Sequence, residues 1–237
     1  FDPTTPKLTT VTFATDNPNG DTYAKVGDNI TINVVSDEVL ASPPLAVLFG
    51  VSGISVDQKA GGVANREFER TIVVTASDQG GMSEGTIDNA TENATNFKIY
   101  NYSDAAGNSG DDKLTPTDDS SIRLDQTRPT KIALTFSTDG TDFDNTDDYT
   151  YLKEGASVTM NIDPSEEINQ PIVMLFKKAA DGLFEPSDTT NPTGDFTIVD
   201  VVGSDNWTFT KSLAAEHAEG EFEFNLSFTD FVGNELA

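Results

Sequence analysis

The stretch Leu124-Asp125-Gln126-Thr127-Arg128-Pro129, continued by Leu134-Thr135-Phe136-Ser137-Thr138-Asp139, decides the fold, because the chain has already used this pattern once. It opens with Phe1-Asp2-Pro3-Thr4-Thr5-Pro6 and goes on to Val11-Thr12-Phe13-Ala14-Thr15-Asp16, so an Asp-x-Thr-x-Pro motif and the alternating run after it both return at an offset of 123. Val26-Gly27 before Ile30-Thr31-Ile32 comes back as Glu154-Gly155 before Val158-Thr159-Met160, an offset of 128. Pro44-Leu45-Ala46-Val47-Leu48-Phe49 matches Pro171-Ile172-Val173-Met174-Leu175-Phe176 at 127. Tyr102-Ser103-Asp104-Ala105-Ala106-Gly107-Asn108 matches Phe228-Thr229-Asp230-Phe231-Val232-Gly233-Asn234 at 126. Order is kept and the offset drifts by a few residues, which marks divergent tandem duplication.

Within each copy, apolar and polar residues alternate in short runs, the period of half-buried strands. Such runs are Val11–Phe13, Ile30–Val34, Ile72–Val74 and Phe97–Ile99, then Leu134–Phe136, Val158–Ile162, Phe196–Ile198 and Phe222–Phe228. Gly, Asn, Asp and Pro cluster between them as turns. Helical spacing is confined to Ser212–Glu219. The expected fold is therefore all-β, with two sandwich domains over 1–124 (leading linker 1–8) and 125–237 (linker 125–130). Proline in each linker fixes φ and stiffens the joint. The phase of the repeat predicts that both ends are cuts through a longer array. Phe1 follows no start Met or leader, so any signal peptide is expected to have been removed or to lie outside the sequence.

Composition narrows the function. Forty acidic against fourteen basic residues give a net charge of −26 in 237 residues, which argues against nucleic acid and anionic membrane as partners. An apolar fraction of 36% suits a folded chain, and no apolar run approaches the ~18 residues of a membrane span. Cysteine is absent, so disulfides and thiolate metal sites are excluded.

Short strands, a terminal Asp-x-x-Gly-Asn and a following Asp-x-Thr-x-Pro linker resemble the bacterial and archaeal immunoglobulin-like tandem repeats of cell-surface proteins, including S-layer proteins and giant adhesins. The resemblance covers almost the whole chain. It implies sandwiches that serve as spacers or lattice bricks, with calcium held at loops and junctions. Thr5 and Arg128 stand where the family's linker has Ala, and Phe231-Val232 where an Ala-Ala pair is usual.

Two places could hold that cation. Asp139, Asp142, Asp144 and Asp147 crowd one loop, and Asp16 and Asp21 occupy the corresponding place in the first copy. Calcium takes six to eight hard oxygens, which an Asp/Asn loop with Gly can offer, although no closing Glu completes an EF-hand. A solvated acidic turn is the alternative. The second place is the junction, where Asp104 and Asn108 end one sandwich and Asp125 opens the next. There Asp104 could equally accept backbone N–H groups in an Asx-turn, with Gly107 at positive φ.

Catalytic patterns are missing. One histidine, His217, rules out a multi-imidazole zinc site and supplies no base for a nucleophile. Neither Gly61-Gly62 nor Gly80-Gly81 continues into a phosphate loop. Trp207 shares a strand face with Phe209 and is expected in the core, with a sugar-stacking platform as the sharper alternative. Asn-x-Ser/Thr sequons occur at Asn29, Asn89, Asn93, Asn101, Asn206 and Asn225; those at Asn29, Asn101, Asn206 and Asn225 fall on outward strand positions where a glycan could sit. The reading is a non-enzymatic, extracellular structural module of a cell envelope, stiffened by calcium, whose partners are neighbouring repeats or other surface subunits and possibly glycans. The alternatives are a carbohydrate- or ligand-binding tip using tyrosines such as Tyr23 or Tyr149, and an acidic glycosidase domain.

Overall fold

A computed structural model describes residues 2–138, 155–178, 184–186, 197–200, 206–212 and 222–236. The Asp139–Tyr149 loop, the 213–219 stretch and His217 lie outside them. The chain divides into two compact units, Phe1–Thr127 and Arg128–Ala237.

The first unit contains β1 (Leu8–Thr15), β2 (Tyr23–Ala24), β3 (Asn29–Ser36), β4 (Leu45–Leu48), β5 (Val51–Ser55), β6 (Asp57–Gln58), β7 (Glu67–Val73), β8 (Gly85–Ile87), β9 (Phe97–Tyr100) and β10 (Ile122–Leu124). One sheet runs β1-β3-β7-β6, a second β5-β4-β9, and a third, smaller one β2-β10-β8. Alternation does the sorting: every second residue of β3, from Ile30 to Val34, is buried while its neighbours are half-exposed. The two larger sheets close over one core. Phe13 of β1 meets Phe97 of β9 edge to face, centroids 4.8 Å apart at 83°, a geometry worth about 0.5–1.5 kcal/mol beyond burial. An isolated bridge, Ile99↔Lys113, adds a further strand position beside β9.

The second unit contains β11 (Lys131–Thr138), β12 (Ser157–Pro164), β13 (Ile172–Lys178), β14 (Phe184–Pro186), β15 (Thr197–Asp200), β16 (Trp207–Ser212) and β17 (Phe222–Ser227). Its sheets run β11-β12-β16-β15 and β14-β13-β17. Met160, Ile162, Val173 and Phe209 from both sheets share its core. Strand order in each unit is that of an immunoglobulin-like β-sandwich.

The pairing repeats in detail. Phe13 faces Ile32 in the first unit and Phe136 faces Met160 in the second, with offsets of 123 and 128. Each of these ladders is interrupted at the same place, between Leu8 and Thr10 and between Lys131 and Ala133. A one-residue bulge of this kind bends its strand and fixes register. Ala46 faces Ile99 and Val173 faces Leu226, both at 127. After that the offset falls to 126 because the first unit carries one extra residue, Asn101, held at φ 57° directly after β9.

The outer edge of β1 is covered rather than left as a template for another strand. Val11 N–H donates to Thr117 Oγ1 at 2.8 Å, Thr117 N–H returns to Val11 O at 2.9 Å, and Phe13 N–H donates to Ser120 Oγ at 3.2 Å.

The boundary falls at 127/128, three residues later than the sequence predicts, and hydrogen bonds explain the difference. Asp125 N–H donates to Ala24 O at 3.0 Å. Gln126 N–H and Thr127 Oγ1–H donate to the Glu84 carboxylate at 2.9 and 2.6 Å, and Gln126 Nε2 donates to Met82 O at 2.7 Å. The Asp-Gln-Thr part of the linker thus belongs to the unit that it leaves.

Candidate functional site at the end of a sandwich

The Asp-x-x-Gly-Asn motif folds the same way in both units. Asp104 Oδ1 accepts from Asn108 N–H at 2.8 Å and Asp104 Oδ2 from Asn108 Nδ2 at 2.7 Å. In the second unit Asp230 Oδ1 accepts from Gly233 and Asn234 N–H at 2.6 and 2.8 Å, and Asp230 Oδ2 from Asn234 Nδ2 at 2.8 Å. Gly107 and Gly233 stand at φ 90° and 93°, where a Cβ would be strained. Both aspartates are buried, at 3% and 2% exposure. Each also forms the same bridge to the loop after the second long strand, Leu40↔Asp104 and Ile168↔Asp230. The Asx-turn role anticipated for Asp104 is thus present.

In the first unit this turn also captures the leading linker. Asn108 Nδ2 donates to Asp2 O at 2.9 Å, and Lys7 N–H donates to Asp37 Oδ1 at 2.8 Å. Asp2 caps its own linker by accepting from Thr4 N–H at 3.0 Å and from the Thr4 hydroxyl. As a result Asp2, Glu38 and Asp104 converge, each offering a carboxylate oxygen within 4.8 Å of the other two.

Electrostatics divides the three. Hydrogen bonds from the Thr4 hydroxyl and N–H hold Asp2 below the usual carboxylate range. Burial acts to raise Asp104, but hydrogen bonds from the Asn108 side chain and from backbone N–H groups outweigh it and hold it low as well. Glu38 has no such donors among the described residues. Desolvation first, then repulsion from Asp104, Asp2 and Asp37, push its carboxyl above the ordinary range. By linkage, Asp2 and Asp104 stabilise the fold above the ordinary carboxylate pKa and lose that contribution in acid, whereas ionised Glu38 costs stability as pH rises through its raised pKa. The cluster therefore concentrates charge that a divalent cation could neutralise.

The sequence named Asp104 and Asn108 but paired them with Asp125; the structure pairs them with Asp2 and Glu38. Asp125 instead accepts from Thr127 N–H at 3.1 Å and from Arg123 Nη2 at 3.2 Å. A signal for Glu38 was present. Asp2, Glu38 and Asp104 have acidic sequence counterparts in Asp125, Glu166 and Asp230, at offsets of 123, 128 and 126.

The loop after β1 is tied down by hydrogen bonds from its own acidic and amide side chains. Asp16 accepts from Asn29 N–H at 2.7 Å and Asn29 Nδ2 at 2.6 Å, and Asn17 Oδ1 accepts from Asn19 N–H at 2.8 Å. Asp21 is exposed, and among the described residues it is not gathered with Asp16 into a three-carboxylate group. Asp139, Asp142, Asp144 and Asp147 lie outside the described residues, as does Tyr149.

Trp207 is half-buried and packs against the second core beside Phe209, which is fully buried. Tyr23 is half-buried next to Gly20. A depression of about 430 Å³ is bordered by Gln170, Ile172, Leu226, Phe228, Glu235 and Leu236, with one carboxylate among the described residues that line it. Among the described residues no helix is long and apolar enough to cross a membrane.

No protein-family model matches the chain, and no curated protein matches it. Among solved structures, the I-band fragment I67–I69 of titin is similar at 13% identity and a TM-score of 0.43, over 99% of this chain and 65% of that one. An E-to-A mutated variant of the fragment gives 13% and 0.41, over 98% and 64%. Titin Z1Z2 in complex with telethonin gives 13% and 0.28, over 100% and 96%. The chain therefore spans about two-thirds of the length of the I-band fragments, and the fold assignment rests on the strand order and registers described above.

Proposed function

We propose that the chain is a non-enzymatic structural module of an extracellular cell-envelope protein, an S-layer brick or adhesin stalk, in which immunoglobulin-like units follow one another and calcium stiffens the linkers. The observation that carries this reading is the tie between the leading linker and the end of its sandwich: Asn108 clamps Asp2 O while Asp2, Glu38 and Asp104 converge beside it. A cation there would bind only the folded state and so stabilise it by mass action, by about 2.7 kcal/mol at a hundredfold excess over Kd. Its partners would be neighbouring repeats or other surface subunits.

Calorimetry of the full chain tests the calcium part. Tm should rise with added calcium and fall back with EDTA. Glu38→Gln should make the calcium-free protein slightly more stable, by removing the repelled charge, and should shrink the calcium response. A Tm indifferent to both additions removes calcium from the reading. Electron microscopy of the native assembly separates the two architectures, a sheet for a lattice and an isolated fibre for a stalk.

A further inference from the structure

The six sequons are not equivalent once the chain is folded. To become a glycan acceptor in the folded state, an asparagine must expose a side-chain nitrogen that donates to nothing else, in a segment free of ladder pairing, with its Ser/Thr also exposed. Asn29 fails because its Nδ2 donates to Asp16 Oδ2 at 2.6 Å and its backbone pairs with Val73. Asn101 fails because its Ser103 is only half-exposed and is bridged to Ser109, behind a Tyr102 that is 4% exposed and packed into the core. The sequon at Asn206 runs through core-packed Trp207, and its Thr208 hydroxyl donates to Asn161 Oδ1 at 2.9 Å. Asn225 lies in β17, paired with Met174. Asn89 Nδ2 donates to Asp119 Oδ1 at 2.8 Å.

Asn93 meets every condition. Residues 89–95 are exposed one after another between β8 and β9. Asn93 Oδ1 accepts from Thr95 N–H at 3.0 Å and from Asn96 N–H at 3.3 Å, which polarises the carboxamide, while its Nδ2 donates to no group among the described residues. The turn is anchored from below, since Phe97 N–H donates to Asn93 O at 2.8 Å. The acceptor is thus presented on a fixed turn.

We propose that Asn93 is the N-glycan acceptor of the folded protein, its co-substrate a polyprenyl-diphosphate-linked oligosaccharide delivered by an oligosaccharyltransferase. Asn93 Nδ2 bonds to the anomeric carbon, the bond from that carbon to the diphosphate oxygen breaks, and the polyprenyl diphosphate leaves. One amide proton passes to a base of the transferase, and no oxidation state changes. Encountering such an enzyme in the cell rests on the extracellular reading above; the acceptor property does not.

The test uses purified, folded full-length protein with a single-subunit oligosaccharyltransferase and its lipid-linked oligosaccharide. Occupancy of all six sequons is read by mass spectrometry, with six short peptides as the unfolded reference. Asn93 should be occupied at least tenfold more than Asn29, Asn206 or Asn225 in the folded protein, and the spread should shrink several-fold among the peptides. Thr95→Ala should abolish modification at Asn93, and Asn89→Gln should leave it unchanged. The proposal is overturned if any other sequon is occupied more than Asn93, if the tenfold margin is absent, or if the peptides show the same preference. Because the assay supplies the enzyme, its failure would leave the extracellular reading standing.

Discussion

Asp28 and Ala156 occupy the same place in the repeat, one residue after a positive-φ glycine and just before the second long strand, and both are buried, at 9% and 4% exposure. In the first unit the carboxylate is committed: Asp28 Oδ2 accepts from Asn17 Nδ2 at 2.6 Å and from Lys25 N–H at 2.9 Å. In the second unit a methyl group fills the position. Tyr102 and Phe228 differ in the same sense. Tyr102 donates its hydroxyl to Asp111 O at 2.5 Å, and burial followed by repulsion from Asp111 and Asp112 pushes its phenol up to about 12; Phe228 holds the matching place with no hydroxyl. Against these exchanges stand features that both units retain: the bulge, the ladder registers and the Asp-x-x-Gly-Asn turn. Features that set backbone geometry have survived divergence, while side-chain networks have been traded between polar and apolar solutions.

Four substitutions probe that contrast. The shared turn should give the largest effect: Asp104→Ala and Asp230→Ala each leave N–H donors without their carboxylate, and each should destabilise its own unit by about 3 kcal/mol, since hydrogen bonds to charged groups are worth about 1.5–3 kcal/mol. Urea unfolding followed residue by residue with NMR reads the two units separately; one unit tolerating the change would mean that the turn is not a common support. Asp28→Ala installs the second unit's residue in the first. It should cost about 2 kcal/mol, because Asn17 and Lys25 lose an acceptor that Ala156 never supplied, and a neutral result would show that the two solutions are interchangeable. Tyr102→Phe should cost about 1 kcal/mol, the net worth of one hydrogen bond. A larger loss in calorimetry would place Tyr102 beyond the role that Phe228 fills.

Much of the fold was legible because alternation is a strong signal wherever a strand is long and half-buried, as in Ile30–Val34 and Val158–Ile162. Two-residue strands such as β2 and β6 offer no period to read. The covered edge of β1 was equally hidden, since Thr117 and Ser120 meet it from more than a hundred positions away through two hydroxyls and one backbone N–H. In the candidate site, Asp104 and Asn108 were visible as a motif. Asp2 was visible as part of a linker, and Glu38 sits in a loop marked only by its acidic repeat counterpart Glu166; the chain's path, not its local pattern, brings it to Asp104. The turn from β4 to β5 shows tertiary context overriding preference. Phe49 takes φ 46°, costly for a bulky side chain, yet it is fully buried, and burying a phenylalanine contributes about 1.5–3 kcal/mol.

Pulling the full chain from its two ends in a single-molecule force experiment tests most directly whether two copied sandwiches stand in series. Units of 127 and 110 residues should give two separate rupture events, releasing chain of roughly 420–460 Å and 360–400 Å contour length at about 3.3–3.6 Å per residue. One rupture releasing the whole length, or a gradual lengthening without discrete events, would contradict it.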